Sequence, residues 1–187
     1  MKLNIYLTAF LVISTLIGCG SSTKIVEPTA KSRQLDQWVA EKDFEINSEW
    51  AIPMLTNSMS QVSNAGLFPP GSAANRINLT GNSNYLKVNG MEVEASLPYY
   101  GERQVGGGYG NTNSGIVFSG RVKEYESVKD EDKLKHQITF RVMNNTEVFD
   151  VAITLYPNLK SEIIVNSSQR LVIRYEGRVK SKAEGLP

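Results

Sequence analysis

The sequence predicts a mainly β domain: an antiparallel meander of about seven or eight short strands forming a barrel-like or sandwich domain, with an N-terminal helix and a short second helix. Three observations predict it. From residue 85 onward apolar and polar residues alternate in segment after segment, the period of a half-buried strand. Short turn signals separate the segments, among them Asn89-Gly90, Asn144-Asn145, Pro157-Asn158 and Asn166-Ser167-Ser168. Helical spacing is confined to Leu35–Val39 and Leu55–Val62.

The leader, Met1 to Gly18, has another purpose. Lys2 is the only charge before Lys24, and Ile5–Ile17 is a mostly apolar run. A spanning helix needs roughly 20 residues, so this shorter run fits the apolar middle of a secretory signal. It ends Leu16-Ile17-Gly18-Cys19, which resembles the lipobox of bacterial lipoproteins. That resemblance implies cleavage before Cys19 and acylation of its thiol and new amine. One acyl chain binds a bilayer marginally, whereas two or more anchor stably. Cys19 is the only cysteine, so once acylated it leaves no thiol for a disulfide or a metal.

Cleavage before Cys19 leaves a chain of one domain's worth. The 20 Lys and Arg lose Lys2 with the leader and then match the 19 Asp and Glu in number. Such neutrality argues against nucleic acid as partner. The expected organisation is a signal over 1–18, an acylated cysteine and polar tether over 19–32, and a single β-rich domain over 33–187. Leu35, Trp38 and Val39 form one helical face, with Ser32 as expected N-cap and an end near Lys42. A strand follows from Phe44 and Ile46 toward Pro53. Leu55, Met59 and Val62 predict the second helix, stopped by Gly66 and Pro69-Pro70-Gly71, with a short strand within 75–80. Leu86 and Val88 then lead through Asn89-Gly90 into Met91, Val93, Ala95 and Leu97. Ile116 and Phe118, Val122, Ile138 to Val142, Phe149 to Leu155, Ile163 and Val165, and Leu171 to Tyr175 complete the series. Closure into a barrel would remove exposed edges, although alternation alone fits barrel and sandwich equally.

The strands carry a family likeness. It rests on Asn84-Tyr85-Leu86-Lys87-Val88, Ser96-Leu97-Pro98-Tyr99-Tyr100-Gly101 and Gly107-Gly108-Tyr109-Gly110. Phe118-Ser119-Gly120, Ile138-Thr139-Phe140, Asn166-Ser167-Ser168-Gln169-Arg170 and Ile173-Arg174-Tyr175-Glu176-Gly177 extend it. Over most of residues 33–178 the chain resembles the envelope lipoproteins of domain-of-unknown-function family 4251. Members often have Tyr-Phe-Gly where Tyr99-Tyr100-Gly101 stands, and the stretch 54–80 is longer here than in short members. The resemblance implies export, lipidation and one domain, and no reaction.

Catalytic patterns are sparse. His136 is the only histidine and has the strand parity of Ile138 and Phe140, which places it on the core side near a strand start. No serine and carboxylate are placed beside it to make a triad. Gly106–Gly110 lacks the spacing of a nucleotide-binding loop and reads as a turn-permitting segment. Asp130-Glu131-Asp132 lacks the glycine and ligand spacing of a calcium loop. Glu92 and Glu94 fall opposite the apolar face and so face water, and Arg174, Glu176 and Arg178 suit cross-strand ion pairing. No metal site or cofactor is expected. Tyr99, Tyr100, Glu102, Arg103 and Tyr109 set three tyrosines and one ion pair on a glycine-rich segment, the composition of a recognition loop.

The expected function is therefore a non-catalytic binding or interaction module, anchored through Cys19, for a protein partner or a small apolar ligand. The competing expectation is an enzyme acting on envelope polymers with Glu102 or His136 as acid or base. Cys19 is followed by neither Asp nor an acidic run, which by analogy with lipoprotein sorting points to the periplasmic face of the outer membrane.

Overall fold

Thr29 begins the first helix of the computed structural model, which describes residues 26–105 and 115–182. Its hydroxyl accepts from the Ser32 amide while the Ser32 hydroxyl accepts from the Thr29 amide, a reciprocal capping box. Ser32, the expected N-cap, is thus the third helical residue, and the helix α1 (Ala30–Glu41) starts ahead of residue 33. Lys42 ends it with a left-handed φ of 52° and turns the chain into β1 (Asp43–Pro53). Thr56 caps α2 (Asn57–Asn64), which buries Met59 and leaves Leu55 outside the helix.

The short β2 (Ile77–Asn78) precedes the alternating series β3 (Tyr85–Asn89), β4 (Glu92–Leu97), β5 (Ile116–Arg121) and β6 (Lys123–Asp130). The series closes with β7 (Lys135–Asn144), β8 (Glu147–Leu155), β9 (Lys160–Ser167) and β10 (Ile173–Lys180). The β3–β4 hairpin follows its turn chemistry. Gly90 takes φ 61° at the first of the two loop residues between Asn89 and Glu92, the position that a type II′ turn reserves for glycine.

All pairings are antiparallel, in the order β5-β4-β3-β1-β10-β9-β8-β7-β6, with β2 beside β1. The two outermost strands are consecutive in sequence. Val122 alone separates them, and its amide still donates to Met91 O at 2.9 Å. The chain from residue 116 to 130 is therefore one bent strand that leaves β4 and joins β7, curling the sheet into a nearly closed barrel. Asn144 Nδ2 donates to Val117 O at 2.7 Å across the seam. The barrel-like form replaces the sandwich alternative, and β1 and β2 join the eight alternating segments in one sheet.

β1 changes partners midway, pairing β3 through Ile46 and β2 from Trp50. A bulge between Ser48 and Trp50 interrupts its ladder with β10, and on its other side neither β3 nor β2 reaches Ser48. Buried Asn84 stands in for a strand there: its Oδ1 accepts from Ser48 N at 2.9 Å and its Nδ2 donates to Ser48 O at 3.0 Å. Opposite the bulge, a Cβ on Gly177 would lie 2.1 Å from Asn47 O, so only glycine fits.

The inward side chains fill the barrel. Phe44, Ile46, Leu86, Val88, Phe118, Ile138, Leu155 and Tyr175 are 0% exposed, which leaves no space of water size against them. Phe118 meets Phe149 and Phe140 with ring centroids 5.3 and 6.4 Å apart. α1 covers one end with buried Leu35, Trp38 and Val39. No described helix is long and apolar enough to cross a membrane.

Candidate functional site

The two barrel ends differ in chemistry. At the helix end, His136 Nε2 lies 2.6 Å from Asp36 Oδ1, and Lys129 Nζ lies 3.2 Å from Asp36 Oδ2. Burial pushes the Asp36 carboxyl up, but the hydrogen bonds from His136 and Lys129 outweigh it and hold the group below its ordinary value. The cluster ties α1 to the start of β7 and the end of β6. Val26 N donates to Asp132 O at 3.2 Å, so the chain reaches the domain at this end.

The other end is built around a buried carboxylate. Glu147 begins β8 with the inward parity of Phe149 and Val151, which forces its charge toward the core. Arg170 reaches it from the β9–β10 connection side-on, Nε to Oε1 at 2.8 Å and Nη2 to Oε2 at 3.2 Å. The two side chains are 5% and 9% exposed. Ser167 Oγ donates to the same carboxylate, and Arg103 Nη2 lies 3.3 Å from it. Burial raises the Glu147 carboxyl, yet the hydrogen bonds of Arg170 and Ser167 prevail and hold it below its ordinary value.

This ion-pair cluster pins the segment 98–105 across the barrel mouth. Tyr99 Oη bonds to Glu102 O at 3.0 Å and Leu171 O at 3.1 Å, and the Arg170 guanidinium lies 5.2 Å from the Tyr99 ring centre. Tyr175 Oη, from inside the barrel, donates to Pro98 O at 2.8 Å. Gly101 sits under the Tyr99 ring, where an added Cβ would come within 2.7 Å of Tyr99 Oη. Tyr100 meets Phe68 edge-on at 6.3 Å. Exposed Glu102 is held below its ordinary carboxyl value by the hydroxyls of Ser58 and Thr56 at the start of α2.

Of the five residues expected to form a recognition loop, Tyr99, Tyr100, Glu102 and Arg103 therefore gather at one barrel end, and Tyr109 lies outside the described residues, as does Cys19. The expected ion pair within the loop is replaced by Arg103–Glu147, because Glu147 is the buried carboxylate and Glu102 points to α2. Glu147 and Arg170 escaped the sequence reading as a pair. The legible signal was a carboxylate on the apolar face of an alternating strand; its partner, beyond β9, was not legible. Glu102 and His136 are not brought together. Glu147, near Glu102, and Leu155, opposite His136, stand at opposite ends of β8, roughly 27 Å apart at about 3.4 Å per residue. Among the described residues no group of three or more His, Cys, Asp or Glu could hold a metal ion.

An antiparallel barrel with a helix over one end and a buried Arg–Glu cluster tying a strap over the other defines the class of domain. The chain belongs to the family described as "Domain of unknown function (DUF4251)", whose model matches residues 27–179. A solved structure of a DUF4251 family protein from Bacteroides eggerthii DSM 20697 is similar in fold, with a TM-score of 0.57 at 11% identity over 83% of this chain and 90% of that one. No curated protein matches the chain.

Proposed function

We propose that the chain is a non-catalytic interaction module of the cell envelope, held at a bilayer by acyl chains on Cys19, whose strap-bearing end contacts a protein partner. The observation that carries this reading is the separation of anchor and apolar surface. The chain reaches the barrel at the helix end, next to Asp132. Five exposed apolar side chains belong to the opposite end: Met54 and Leu55 follow β1, Met143 lies near the end of β7, Val105 is on the strap, and Leu67 precedes Phe68, whose ring meets Tyr100. Between Pro53 and Tyr85 the only charge is Arg76. Depletion of charge with enrichment of aromatic residues and Met is the composition of an interface core. A filled barrel interior favours a partner surface over an apolar ligand held inside.

From Cys19 to Val26 is seven residues, a reach of at most about 25 Å. A bilayer anchor would therefore hold the helix end near the headgroups and turn the strap end away from them. On the sorting pattern after Cys19, that bilayer is the periplasmic leaflet of the outer membrane. Cys19→Ser is expected to move the protein from the membrane to the soluble fraction, and unchanged sedimentation would refute the anchor. Photo-crosslinking residues placed at Leu67 and Val105 in intact cells should capture a defined protein, whereas one at Val128 on the barrel wall should not. Capture from Val128 alone would refute the assignment of the surface.

A further inference from the structure

We propose that Met54 and Met143 are oxidation sites, and that a diffusible peroxide, by turning their thioethers into sulfoxides, makes the strap end polar and releases what is bound there. The modification stands on the geometry of the methionines, whereas the release rests on the partner reading above. Sulfur in the domain is confined to thioethers: Cys19 is the only cysteine, and beyond the leader methionine occurs at 54, 59, 91 and 143.

The fold divides these four into a protected pair and an open pair. Met59 is 6% exposed, on the buried face of α2. Met91 packs partly buried against the core at the β3–β4 turn, and its sulfur accepts from Lys42 Nζ at 3.6 Å. That ammonium engages a sulfur lone pair and draws electron density from it, which opposes attack on an oxidant. Met54 is 46% exposed and Met143 61%. Met54 follows the end of β1 and Met143 lies near the end of β7, with β10, β9 and β8 between them in the sheet order. Both open thioethers therefore stand on the barrel rim at the strap end, on the surface assigned to the partner.

The chemistry needs only the peroxide. The sulfur lone pair takes one peroxide oxygen and the O–O bond breaks. The proton on the transferred oxygen passes to the departing hydroxide, which leaves as water. Sulfur loses two electrons and the peroxide gains them. The product side chain keeps its length but carries an S–O dipole that holds water, so it disrupts an apolar contact that the thioether favours.

The test treats the full-length protein, held in mild detergent, with hydrogen peroxide and maps the oxygen adducts by mass spectrometry of its peptides. Adducts at Met54 and Met143 are expected to form about tenfold or more faster than at Met59 and Met91, with the melting temperature unchanged. Comparable rates at all four positions, or adducts that form only once the protein unfolds, overturn the site assignment. For the release, intact cells carrying a photo-crosslinker at Leu67 are treated with peroxide before illumination. Capture is expected to fall severalfold, and to persist in a Met54→Leu, Met143→Leu double variant, whose side chains stay apolar and take up no oxygen. An equal fall in that variant, or full capture after both sulfoxides have formed, overturns the release. Absence of capture even before peroxide refutes the partner reading instead, and the peptide map still decides the sites.

Discussion

Single residues in this barrel act where the sheet cannot serve itself. Asn84 supplies both a donor and an acceptor to Ser48 at the β1 bulge, where neither β2 nor β3 reaches. Each buried backbone group left unpaired costs about 1–3 kcal/mol. Asn84→Ala is therefore expected to lower stability by about 2–4 kcal/mol in urea unfolding, with the m-value unchanged. Tyr125 gives the opposite case. Its ring stacks on Phe140 at 6.4 Å and lies under Lys42, but its buried hydroxyl has no hydrogen-bond partner. Burial pushes that hydroxyl up to about 12. Tyr125→Phe keeps the ring and removes the unpaired group, so a gain of about 1 kcal/mol is expected. A loss of stability would mean that the hydroxyl has a partner in solution.

At the scale of elements, parity was legible and partnership was not. The alternation in β3 to β10 correctly assigns Leu86, Val93, Phe118, Ile138, Val151, Ile163 and Tyr175 to the interior, because the two faces of a strand are set by its own residues. The same logic places Glu92 and Glu94 in water and His136 at the core rim. Helix limits were less legible, since a hydroxyl at Thr29 and one at Ser32 compete for one role and the capping box uses both. Arg178 and Glu176 find ion-pair partners, but these are Glu49 on the bulge of β1 and Arg76 in the excursion beyond α2. No local rule selects either. The strap shows the same limit: its tyrosines were legible as exposed recognition groups, whereas Tyr99 is fastened between carbonyls and an arginine.

At the scale of the molecule, the two ends depend on carboxylates that must stay ionised. Asp36 ties α1 to β6 and β7, and Glu147 ties the strap to β8 and the β9–β10 connection. Both are held below their ordinary values of 3.8 and 4.5, so the unfolded chain takes up protons first as pH falls. Their stabilisation is complete above those ordinary values and is lost as pH drops through the lower folded ones. The melting temperature is expected to be flat in this contribution from pH 7 to about 5 and to fall below roughly 4.5, less steeply in Asp36→Asn. A melting temperature constant down to pH 3 would show that neither cluster bears on stability. Because Arg103 and Arg170 both face Glu147, the strap end should loosen with the rest of the fold on acidification.

By itself the sequence determined what is local: the strand period, the inward and outward residues, the turns, the apolar run before Cys19 and the family likeness. Each depends on spacings of a few residues, which backbone geometry translates directly into faces and bends. Only the tertiary structure decided closure, through one bent strand that changes partners at Val122. It also decided which charges meet, joining Glu147 to Arg170, Asp36 to His136 and Arg76 to Glu176. Those contacts join residues far apart in the chain, and they exist because curling the sheet brings distant strand ends together.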